Sequence, residues 1–258
     1  MLRYGFKSRY YFFLFFLFLF FILVQNKAFG QRIDPYTYIP KNAKIYSPVL
    51  KKQIEEYFSD FPYYPYFGGL IEQESCIALT WNSCWNPKTT LNTSREYGAG
   101  LGQLTKAFTP DGRIRFDSLQ AIRAEHYEQL HDLSWQNILM RPDLQMRAII
   151  LMSQDNYKRL WMIKNPYDRI AFTDSAYNGG LGGVYQDRRL CNLEPHCDPD
   201  IWFNNVQKTC SKSNIPIYGN QSPCSINRTH VYNVLKIRME KYSSLLLPSE
   251  SQNSILPK

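Results

Sequence analysis

The chain has 258 residues, 44% of them apolar and 16% aromatic, which excludes a mainly disordered protein and suffices for one good-sized domain or two small ones around a real core. Its formal net charge of +8 falls to +4 when residues 1–30 are set aside: they hold 4 of the 30 Lys and Arg and none of the 22 Asp and Glu, leaving 26 against 22. That mild bias suits solubility or an anionic polymer and gives no ground for expecting a nucleic-acid partner.

The first element is a targeting segment. "MLRYGFKSRY" is basic, Tyr10 to Val24 is an unbroken apolar run, and Ala28 and Gly30 flank Phe29 just before Gln31. This is the pattern of a secretory signal peptide, or of a signal anchor if it is not cleaved. The expected location is the periplasm or the exported cell envelope, with membrane contact only through an uncleaved segment.

Residues 31–44 read as irregular. Ser47 and Pro48 read as the cap and first residue of a helix over 48–58, with Leu50, Ile54, Tyr57 and Phe58 on one face. Pro65 starts the next helix, which contains "GLIEQESCIAL". Phe67, Leu70 and Ile71 form its inward stripe, and Glu74 continues that stripe; Glu72 lies well over a right angle away and is expected to reach solvent.

Residues 80–97 are turn-rich, and "GAGLGQLT" packs three glycines into five residues. A helix is expected from about Asp117 to Leu133, with Leu119, Ile122, His126, Leu130 and Leu133 inward. Another starts near Asp143, and a shorter one, "YDRIAFTDSAYN", ends at Gly179-Gly180. Residues 185–228 are loop-rich, Thr229 caps a last helix to about Leu246, and residues 248–258 read as a disordered tail. No β-rich alternation and no repeat is evident. The expected fold is mainly α, a single domain over 45–247 whose Cys-rich extension begins near 185.

Six cysteines in an exported chain suggest disulfides. Nearest-neighbour pairing (Cys76–Cys84, Cys191–Cys197, Cys210–Cys224) closes short local loops. "CNLEPHCD" adds His196 and Asp198, but zinc favours tighter spacing, so neither metal nor cofactor is expected.

A carboxyl on an apolar stripe resists ionisation and can keep a proton to give away. Glycosidic bond cleavage needs such a proton. Glu74-Ser75, then Gly100-Leu101-Gly102-Gln103, then Ala176-Tyr177-Asn178-Gly179-Gly180 follow in the order of the lytic transglycosylases, which share part of the pattern with goose-type lysozymes. The chain resembles that family over roughly 45–185.

The resemblance implies a lysozyme-like helical domain with long disulfide-clipped loops, acting on peptidoglycan strands between N-acetylmuramic acid and N-acetylglucosamine. Glu74 would be the sole acid and base, with Ser75, Gly100, Leu101, Gln103, Tyr177 and Asn178 as substrate-binding residues. Departures are Gly102 in place of a bulkier residue, Tyr97 and Gly98 at a shifted Gly-Ala step, and a longer connection after Gln103. Two other readings stay open. A hydrolytic muramidase would need a base from among Asp174, Glu96, Asp111 and Asp117. A non-catalytic wall-binding component is the other, and secretion or conjugation machinery is a conceivable partner.

Overall fold

A computed structural model describes residues 34–76 and 84–247. The signal segment and the tail lie outside the described residues. From Pro35 onward the chain forms one compact unit; the other unit, Met1–Asp34, is described only at its last residue. The described chain is mainly helical.

Helix α1 spans Lys41–Tyr57 and carries Pro48 in its interior. It therefore starts well before the expected residue 48, and the segment expected to be irregular to 44 is helical from Lys41. Ala43, Ser47, Leu50 and Ile54 recur at helical spacing as one buried stripe. A proline inside a helix costs about 3 kcal/mol, and burial along this continuous stripe offsets that cost. Ser47 is thus a buried interior residue rather than a cap.

Helix α2 spans Pro65–Ser75, with Pro65 in its first turn and Pro65 through Glu72 all buried. It is covered on most sides, not along one stripe. Two glycines allow this: a Cβ at Gly68 would run into the Tyr242 ring, and one at Gly69 would lie 3.0 Å from the Val234 carbonyl oxygen. Gly68→Ala is expected to cost about 1–3 kcal/mol by overpacking, read as a lower thermal midpoint.

Four short antiparallel strands follow, where no sheet was expected: β1 (Thr90–Asn92), β2 (Glu96–Ala99), β3 (Leu104–Phe108) and β4 (Ile114–Asp117), paired in chain order. Ala99 pairs with Leu104 and Thr90 with Ala99. The strands are too brief, and their outer faces too exposed, to show alternation. The expected 117–133 helix divides into α3 (Ser118–Glu125) and α4 (Tyr127–Leu130). Leu119, Ile122, Leu130 and Leu133 are buried beneath the sheet with Ala99 and Leu104. His126 is half-buried and bonds Asp155 at 2.8 Å.

Helix α5 (Pro142–Arg159) joins two cores. Met146, Ile149 and Ile150 face the larger one; Leu144, Ala148 and Leu151 face the one under the sheet. Helix α6 (Pro166–Gly179) ends at Gly180, whose φ of 82° suits glycine. Helix α7 (Leu181–Cys191) follows.

Helix α8 (Pro223–Tyr232) starts ahead of the expected Thr229. Ser222 caps it, bonding reciprocally with Ser225, and Pro223 takes the first helical position. The chain continues through a π-helical stretch (Asn233–Arg238), a 3₁₀ turn (Glu240–Tyr242) and α9 (Ser243–Leu246). This C-terminal run packs on α2. The three disulfides join neighbouring cysteines: Cys76–Cys84, Cys191–Cys197 and Cys210–Cys224. Among the described residues, no helix is long and apolar enough to cross a membrane.

Candidate functional site

Glu74 stands in the last turn of α2, which ends at Cys76. The Ser75 hydroxyl donates to the Ile71 carbonyl at 2.6 Å and accepts the Trp85 N–H at 2.8 Å. Ser75 is buried, and its hydroxyl ties the helix end to the turn beyond Cys84. A direct bond from this hydroxyl to substrate, one of its expected roles, is therefore replaced by a bracing role.

Glu74 does not lie among apolar groups alone. Its side chain is 15% exposed, and its Oε1 lies 2.7 Å from His230 Nε2. His230 Nδ1 lies 2.8 Å from Asp174 Oδ2, and Asp174 is fully buried. With a carboxyl group against each ring nitrogen, the ring can donate from both as an imidazolium. Burial alone would strip its proton; the charges and hydrogen bonds of Asp174 and Glu74 outweigh that and push its pKa up from 6.5 to about 10. A raised folded-state pKa gives stability that is fully present below the unfolded value and is lost as pH rises through the folded one. The thermal midpoint is therefore expected to fall between about pH 6.5 and 10, as a pH series of melts would show.

The other acid behaves contrary to expectation. Glu72 is 1% exposed, not solvated. Lys241 Nζ donates to it at 2.8 Å, the Tyr242 hydroxyl donates to its other oxygen, and Arg238 Nε lies 3.5 Å away. The C-terminal run brings these partners to the face that helical phase alone assigns to water.

The turn between β2 and β3 carries the second motif. Gly100 has φ of 81° and Gln103 φ of 45°. The Gln103 amide donates to the carbonyls of Gly100 at 2.9 Å and Thr89 at 3.2 Å. A Cβ at Gly98 would lie 2.8 Å from Gln103 Oε1, and one at Gly102 would meet Ile149 and the Tyr177 hydroxyl. A Cβ at Gly100 would lie 2.6 Å from the Gln145 side chain, so at 98, 100 and 102 alike the space goes to the protein's own side chains. Leu101 is fully buried, so its side chain serves the core.

Gln145 is a supporting residue without any sequence signal. It accepts the Leu101 N–H at 2.7 Å and donates to the carbonyls of Pro87, at 3.0 Å, and Ile138. Gln145→Ala removes three buried bonds, each worth about 1 kcal/mol net. A loss of about 3 kcal/mol is expected, measurable by urea unfolding.

The third motif meets the second at Tyr177, whose hydroxyl donates to the Gly102 carbonyl at 2.8 Å. Burial raises the Tyr177 pKa well above its usual value, and the charges of Glu74 and Asp174 raise it further. Asn178 is exposed and accepts from Asn227 Nδ2 at 3.0 Å. Asn227 also bonds Ser175.

Each acid named as a hydrolytic base has another commitment. Asp174 is buried behind His230. Glu96 accepts from the Tyr218 hydroxyl at 3.1 Å. Asp111 pairs with Arg113 at 2.6 Å. Asp117 caps α3 and accepts from Trp135 Nε1 at 3.0 Å. Glu125, His126 and Asp155 lie close enough together to share a cation. His126 and Asp155 already bond one another there, and Glu125 reaches Arg159 at 3.4 Å. The disulfide between Cys191 and Cys197 removes both thiolates beside His196.

Comparison with protein-family models, with curated proteins and with solved structures returns no match. The site rests on geometry: His230 from the extension contacts Glu74, Tyr177 feels its charge, and Tyr177 in turn bonds the Gly102 carbonyl.

Proposed function

We propose that the protein is a peptidoglycan lytic transglycosylase with a lysozyme-like fold, exported to the periplasm or cell envelope, with Glu74 as its only acid and base. The carrying observation is the Tyr177 link. Its phenol bonds the Gly102 carbonyl at 2.8 Å and lies in the field of Glu74, so the third motif is tied to the second and set near the partly exposed acid of the first.

In this reading, protonated Glu74 gives its proton to the bridging oxygen. The bond from that oxygen to the muramic C1 breaks, and the N-acetylglucosamine unit leaves with a new hydroxyl. The sugar's own N-acetyl group stabilises the electron-poor C1. Glu74, now a carboxylate, takes the proton of the muramic C6 hydroxyl while that oxygen bonds C1. The 1,6-anhydro ring closes and the acid is restored, with no water consumed. An attacker already within the ring system has a large effective concentration.

The burial of Asp174 behind His230 and the other bonds of Glu96, Asp111 and Asp117 favour this route over hydrolysis, because no contact among the described residues sets any of the last three beside Glu74 as a base for water. The test is digestion of purified sacculi followed by mass spectrometry. Anhydromuramic ends are expected; reducing ends would move the assignment to a hydrolytic muramidase, and no release would favour a wall-binding role.

A further inference from the structure

We propose that His230, braced by Asp174, is a positioning residue for Glu74: it fixes the orientation of the acid and stabilises the carboxylate that Glu74 becomes once its proton has left. This rests on the reading of Glu74 as the acid and adds a partner from outside the motif set.

The argument starts from donors and acceptors. Two carboxylates flank one imidazole at 2.7 and 2.8 Å, one on each ring nitrogen. The ring is 4% exposed and Asp174 is fully buried, while Glu74 keeps 15% exposure. The chain thus runs from a buried anchor to an accessible end. A His–Asp pair serving only as internal glue needs no third member at the surface.

The surrounding charges support a directed role. Glu74 faces His230 from α2, and Asp174 faces it from α6. The Tyr177 phenol of α6 lies near both carboxylates, and the Tyr66 phenol of α2 lies beside Asp174. Both phenols have pKa values raised well above the usual one by burial first, so they remain neutral. On the histidine's own helix, Arg228 turns to Asp187 at 2.6 Å. Lys212 lies 4.0 Å from that same carboxylate. Among the described residues, the cation in contact with Glu74 is His230.

A fixed cation placed where negative charge develops acts without reorganisation at the moment of reaction. Both half-reactions pass through the Glu74 carboxylate, so His230 serves each of them.

The test compares pH profiles of kcat and KM on purified peptidoglycan for wild type, His230→Gln and Asp174→Asn, with circular dichroism reporting folding. For His230→Gln, kcat is expected to fall on the order of 100-fold, the scale of one stabilising donor, with a much smaller change in KM. The alkaline limb of the pH profile should also change, because the charge beside the acid is gone. Asp174→Asn should act on kcat in the same direction, by less. Folded variants that keep the wild-type kcat and alkaline limb overturn the proposal.

Should both variants fail to fold, nitrogen-15 NMR of the wild-type imidazole rings decides. His230 should keep both N–H protons through pH 8, and Glu74→Gln should lower the pH at which it loses one. A His230 that loses one N–H proton well below pH 8 overturns the proposal. A wild type that releases no glycan fragment removes the reaction, and the catalytic half of the proposal with it. The NMR titration would still report whether the clamp exists, so the two failures are distinguishable.

Discussion

Glu74→Gln is expected to reduce release of anhydromuropeptides from purified sacculi by about 10³-fold or more, within the range for a lost general acid. The new amide retains the size of Glu and an oxygen that can accept from His230 Nε2. Asp174 continues to hold the far side of the ring at 2.8 Å. The fold should therefore survive, and circular dichroism should show it. The substitution removes the transferable proton and leaves the geometry in place. A Glu74→Gln variant that solubilises sacculi at the wild-type rate would show that the acid lies elsewhere.

The second large effect is on stability. Glu72→Ala removes the shared partner of Lys241, Tyr242 and Arg238, all of which are buried or nearly so. Breaking a buried ion pair from one side costs about 3–5 kcal/mol. Tyr242 also accepts the Trp85 indole N–H at 2.9 Å, so the loss spreads to the turn that braces Ser75. Urea unfolding should show a lower midpoint with little change in slope. At low temperature, activity per folded molecule should remain, which separates this acid from Glu74. An unchanged midpoint would mean that the network contributes no net stability.

The helical content, the end of α6 at Gly179-Gly180 and the disulfide pairing were legible because each depends on local spacing. Helical phase also put Phe67, Leu70 and Ile71 inside. It failed for Glu72, because phase describes a helix against one neighbour and α2 is enclosed by several. The strands were missed because they run for three to five residues, too few for a period of two to stand out. His230 carries no local signal at all. It lies 156 positions from Glu74, and its meaning comes only from the packing of α8 on α6 and of the following π-helical stretch on α2. Gln145 is likewise an ordinary residue of an amphipathic helix until the β2–β3 turn closes over it.

The C-terminal run also sets how small a working fragment of this protein can be. A piece trimmed to 45–185 would keep every motif residue and look complete by signature. It would lose the imidazole beside Glu74, the lysine and arginine that neutralise Glu72, and the tyrosine ring that fills the gap over Gly68. Its reactive acid would be intact and unsupported.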